Sequence, residues 1–173
     1  MQFDPIRVVV WCHLLASIAE EMGATLERTG YSPNIKERRD YSCALFDAEG
    51  RLLAQAAHIP VHLGAMPLMM ERLRHAVTWS PGTMWLCNDP VRGGTHLPDL
   101  TLVAPVYDVG YSAGVSAQHS PRTILLGFVA NRAHHADIGG LAPGSLSLST
   151  ELFHEGLIIP PVRLVVRNRL QPD

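Results

Sequence analysis

This chain has no run of like charge, no membrane-length apolar stretch and no paired-cysteine pattern, and each absence removes a class of function. Its 14 basic and 16 acidic residues leave a formal net charge of −2 and a pI near 6.5. Nothing in that balance favours nucleic acid or an anionic membrane as a partner. Charges interrupt the apolar residues of the opening segment well short of a bilayer span, and the segment lacks a basic n-region and an A-x-A cleavage site. It reads as a mature, soluble N-terminus. The three cysteines, Cys12, Cys43 and Cys87, are odd in number, widely spaced and without a C-x-x-C pair, which fits a reducing, cytoplasmic location better than a disulfide framework. Cys43 and Cys87 sit among apolar neighbours, where a thiol is generally inert. A G-x-S-x-G elbow, a Walker A loop and a helix-opening G-x-G-x-x-G are missing as well, so the chain carries no visible nucleotide site of its own. There is no internal repeat or low-complexity tract.

What is present is a core-forming composition: 47% apolar residues in 173, enough for one domain spanning residues 1–173. Asp4-Pro5 is a cap and first-turn pair, and Trp11, Leu15, Ile18, Met22 and Leu26 recur at helical spacing up to Gly30. "YSCALFD" and "RLLAQAA" read as a hairpin. A second amphipathic helix carries Met66, Met69, Met70, Leu73 and Val77 on one face and ends before "SPG" at 80–82. "TMWLCND", "DLTLVAPVY" and "TILLGFVAN" are further strands, and "GLIIPPVRLVV" is a last one interrupted by prolines. The expected class is α+β, with a mixed, largely antiparallel sheet. Residues 108–122 are small and polar and read as a loop insertion.

Three stretches place metal-type ligands beside glycine or proline at strand ends: "KERRDYS", "NDPVRGGTHLPD" and "ANRAHHADIGG". An imidazole and a carboxylate three positions apart, His96 and Asp99, joined by a similar pair from a neighbouring strand end, would complete a mixed N/O site for zinc, manganese or iron(II). The alternative for His96 and Asp99 is a hydrogen bond that merely orders a loop, and residue types alone leave the two readings open. In the cluster His134, His135 and Asp137, adjacent residues of an extended segment face opposite ways, so only one histidine reaches a given ion. Asp40 follows a charge run of the kind usually found on a solvated surface. His13, His75 and His154 read as structural, His58 and His62 flank Pro60 in a loop that could line a pocket, and His119 falls in the insertion.

The ordered set "ERRDYSCALFDAEGRLLAQAAHIPVHLGAMP", "CNDPVRGGTHLPDLTLVAPV", "GFVANRAHHADIGGLAPGS" and "STELFHEGLIIPPVRLV" resembles the N-terminal part of the hydantoinase B/oxoprolinase family. The resemblance implies a reaction divided between two subunits. A hydantoinase A-type partner binds ATP with Mg2+ and phosphorylates the carbonyl oxygen of a cyclic amide, a hydantoin or lactam. The B-type subunit, bearing a divalent metal (Zn, Mn or Fe), hydrolyses the activated ring. Carried over by position, the metal ligands would be Asp40, His96, Asp99 and His135, with His134 and Asp137 assisting proton transfer. Two departures accompany the resemblance. Family members are much longer, so a C-terminal region of the B subunit would be missing, and residues 108–122 replace a short turn. The readings kept beside hydrolysis are a carboxylase of the acetone or acetophenone kind, a metal-dependent amidohydrolase that uses no ATP, and a non-catalytic remnant of a split gene.

Overall fold

The computed structural model describes residues 4–62, 64–109, 123–143 and 148–171. Helix α1 (Pro5–Thr29) begins where the Asp4 carboxylate accepts hydrogen bonds from the Ile6 and Arg7 amides and closes where Gly30 N–H reaches Leu26 O. A one-turn helix α2 (Pro33–Lys36), absent from the sequence reading, leads into the hairpin β1 (Tyr41–Asp47) and β2 (Leu52–Ala57). A 3₁₀ turn over Pro60–His62 precedes α3 (Ala65–Ala76). There follow β3 (Met84–Cys87), β4 (Asp99–Val109), β5 (Thr123–His134), β6 (Val162–Val166) and β7 (Arg169–Leu170).

These strands form one sheet in the order β2-β1-β5-β4-β3-β6-β7. The fold is α+β, as composition and order suggested, and each described ladder is antiparallel rather than mixed. The expected insertion is shorter at its start: Asp108 and Val109 pair with Ile124 and Thr123 inside the β4–β5 ladder, and the remainder, 110–122, lies outside the described residues. The final strand starts only at Val162, after Pro160 and Pro161, because proline supplies no amide to a ladder. Strand β5 runs three residues further than its apolar pattern indicates, to His134. Among the described residues no helix is long and apolar enough to cross a membrane.

Helix α1 packs on β1 and β2 from one side, and α3 on the other, where Met66, Met70 and Leu73 join Ala44, Phe46, Trp85, Val103, Phe128 and Ala130 in the main core. The strand period of two determines what this second face carries next. Along β1 the series is Phe46, Ala44, Ser42 and then Asp40 just before the strand. Along β5 it is Phe128, Ala130, Arg132, His134, and along β4 it is Val103, Thr101, Asp99. The register aligns them rung by rung. Ala44, Ala130 and Val103 are neighbours, then Ser42, Arg132 and Thr101. In the last rung Asp99 pairs with His134, whose amide donates to Asp40 O at 2.9 Å. One face thus grades from apolar core to ionisable cluster in three steps.

Candidate metal centre

Three backbone devices bring the cluster together. Arg39 adopts a left-handed conformation (φ 53°), and the next residue, Asp40, is tied by its amide to Asn34 O at 2.9 Å. A non-glycine residue held at positive φ is strained, and here it turns the chain from α2 into β1 beside the cluster. The loop between β3 and β4 returns under Asn88, a fully buried side chain whose Nδ2 donates to Leu97 O (2.7 Å) and Leu157 O (2.8 Å) while its Oδ1 accepts from Ile159 N (2.6 Å). Gly93 (φ 98°) and Gly94 make this return possible. A Cβ on Gly93 would lie 2.6 Å from Met69 Cα, and one on Gly94 only 2.0 Å from Asn88 O. Finally, Asp99 N donates to His96 O and His135 N to Pro98 O, both at 2.9 Å.

His134 Nδ1 donates to Asp99 Oδ1 at 2.9 Å and stands 3.9 Å from Asp40 Oδ2. The His96 ring lies 5.3 Å from that of His134, and His96, Asp99 and His134 each offer a ligand atom within 4.8 Å of one another. His62 enters from the 3₁₀ turn, fully buried. Its Nδ1 is 3.1 Å from Ser42 Oγ, while its Nε2, facing Asp99 Oδ2 at 3.5 Å and Asp40 Oδ1 at 3.9 Å, has no hydrogen-bond partner.

Burial by itself would raise the Asp99 carboxyl, but the hydrogen bond from His134 and the neighbouring His62 hold it well below the usual carboxylate range. His134 is pushed up, chiefly by the same bond to Asp99. His135 is pushed down, first by burial and then by the adjacent His134.

The placement of the residues proposed from sequence is uneven. Asp40, His96, Asp99 and His134 converge. The β4–β5 register sets His134, rather than His135, opposite Asp99, because alternation along a strand sends only every second side chain to one face. Asp137 is exposed, and its Oδ1 accepts the Gly139 amide in a local turn. His62 joins the cluster although the sequence marked it only as loop-lining, and Arg132 was not singled out at all. The available signal for Arg132 was a permanent charge two residues before His134 in a strand that carries no other.

The residues fit a divalent ion. A buried imidazole nitrogen without a partner, facing two carboxylates, one of which lies with two further imidazoles in a group whose ligand atoms fall within 4.8 Å of one another, makes a mixed N/O donor set of the kind that suits Zn2+, Mn2+ or Fe2+.

Comparison with known proteins settles the lineage. The family model described as Hydantoinase B/oxoprolinase matches residues 4–173. The chain belongs to that family. Within the hydantoinase B/oxoprolinase group it is 43% identical to 5-oxoprolinase of Saccharomyces cerevisiae over 92% of its length, covering 12% of that protein. Its fold matches the ATP-dependent caprolactamase of Pseudomonas jessenii with a TM-score of 0.80 at 30% identity, covering 99% of this chain and 28% of that one. An acetone carboxylase in its nucleotide-free form shares the fold alone, with a TM-score of 0.79 at 19% identity over 97% of this chain and 21% of the other. The chain spans less than a third of the length of these relatives.

Proposed function

We propose that this chain is the metal-bearing part of the B-type component of an ATP-dependent cyclic-amide hydrolase. Its substrate would be a lactam or hydantoin whose carbonyl oxygen has been phosphorylated by a hydantoinase A-type partner that binds ATP and Mg2+. One observation carries the reading: the last rung of three adjacent strands brings Asp40, His134 and Asp99 together, and the partnerless Nε2 of His62 faces the same two carboxylates. Hydrolysis is favoured over carboxylation because relatives named for oxoproline and caprolactam are 43% and 30% identical, whereas the likeness to acetone carboxylase bears on fold only.

Asp40, His96, Asp99 and His134 would hold the ion, with His62 beside them. A divalent ion in such a site supplies Lewis acidity toward a carbonyl oxygen and makes water a better nucleophile. The chain's own groups do the rest. Asp40 and Asp99 provide the compensating negative charge, and Ser42 orients the His62 ring. His135 and Asp137, just past the end of β5, would accept or return the proton needed by the departing ring nitrogen.

The test is elemental analysis of the purified protein beside the His96→Ala, Asp99→Ala double variant. Near-stoichiometric zinc, manganese or iron that disappears in the variant is expected. Equal metal content in the two proteins would overturn the site.

A further inference from the structure

Arg132 occupies the rung directly beneath the cluster, with no exposed surface. Among the described residues no carboxylate oxygen lies within 4 Å of its guanidinium, an uncommon state for a buried cation. Its N–H groups go elsewhere. Nε donates to Thr101 Oγ1 at 2.7 Å, one Nη to Thr95 Oγ1 at 3.4 Å, and the other to Gly93 O at 3.5 Å and Met69 Sδ at 3.7 Å. Apart from the contact with Met69 Sδ on α3, each of these bonds leads to a segment that carries a member of the cluster. Thr101 is on the strand of Asp99, Gly93 and Thr95 are on the loop of His96, and Arg132 itself is two residues from His134.

Thr95 is the link that reaches Asp99. Its hydroxyl also donates to Asp99 Oδ2 at 3.2 Å. A threonine hydroxyl has one proton and a guanidinium is a donor only, so the bond from Arg132 occupies a lone pair and leaves the proton for the carboxylate. The direction of the chain of bonds is thereby set, from Arg132 through Thr95 to Asp99. Oδ1 is held by His134 and Oδ2 by Thr95, so both oxygens of Asp99 have fixed neighbours.

We propose that Thr95, its hydroxyl proton aimed by the buried Arg132, is the positioning residue that orients the Asp99 carboxylate for a divalent ion. This rests on the metal-centre reading above. Thr95 itself is open to solvent, so removing its hydroxyl disturbs little of the core, and the expected effect is on affinity rather than on folding. Groups that orient metal ligands typically change metal affinity by about 10- to 100-fold when removed.

The experiment uses the full chain and Zn2+ alone, titrated against a chromogenic chelator, with thermal unfolding as the control. Thr95→Val should weaken Zn2+ binding by about tenfold or more, while Thr95→Ser, which keeps the hydroxyl, stays within about threefold of wild type, both unfolding near the wild-type temperature. Arg132→Lys keeps the charge but cannot reach Thr101 and Thr95 together. It should weaken binding at least as much, and Thr95→Val should add nothing further in its background, since the two act in series. If Arg132→Lys does not fold, the valine and serine variants decide the matter. A folded Thr95→Val protein that binds Zn2+ as wild type does, or fully additive losses, would overturn the inference and leave the metal centre standing. A wild-type chain that binds no Zn2+ would overturn both.

Discussion

Replacing Gly94 by alanine should cost far more than a single methyl group suggests. The new Cβ would lie 2.0 Å from Asn88 O and 2.6 Å from Asn88 C, backbone atoms that have no rotamer to escape into. Ordinary carbon–oxygen contact requires the strands of chain to part by more than an ångström. That displacement pulls Asn88 away from Leu97 O, Leu157 O and Ile159 N, the buried bonds that anchor the loop. At about 1 kcal/mol for each bond, the loss is about 3 kcal/mol. For a chain of this size it would lower the melting temperature by about 6–12 °C. Gly64→Ala is the control, because a Cβ there meets nothing within 4 Å and its φ of −91° suits any residue. It should stay within about 1 kcal/mol of wild type, the usual spread of a cap substitution. Thermal unfolding followed by circular dichroism reads both. A Gly94→Ala protein melting within 2 °C of wild type would refute the claim that this close approach builds the loop.

Further expectations concern chemistry rather than packing. Burial pushes the Cys43 thiol up to about 12 and raises Cys87 as well, whereas Cys12 is exposed on α1. Iodoacetamide at pH 8 should therefore label Cys12 in the native chain and spare the other two, as peptide mass spectrometry would show; labelling of Cys43 without unfolding would contradict the packing of β1. Asp99 is held below the ordinary carboxylate range, so its contribution to stability is present above the unfolded value near 4 and is lost as pH falls through the native one. In the metal-free protein, Asp99→Asn should accordingly flatten the decline of melting temperature between about pH 5 and pH 3. An unchanged slope would show that other carboxylates govern acid unfolding.

Local chemistry was sufficient for much of the fold. The Asp4 cap, the helical spacing from Trp11 to Leu26, the methionine face of α3 and the period-two strands are interactions between residues a few positions apart, and their patterns survive in the linear string. The ordered motifs carried the family, and the pairing of His96 with Asp99 three residues on was visible as a ligand pattern. The membership of the cluster was another matter. Whether His134 or His135 faces Asp99 depends on the register between β4 and β5, and a slip of one residue would exchange them. That register is set by core pairs such as Ala130 with Val103, which join two strands distant in the chain and lie outside the cluster. The same long-range pairing converts Ser42, Arg132 and Thr101 from unremarkable residues into one buried rung, and packing of the Pro60–His62 turn brings a histidine that its sequence context marked only as loop-lining against two carboxylates. Residue type and spacing thus determined which side chains were able to bind an ion, and only the sheet decided which of them meet.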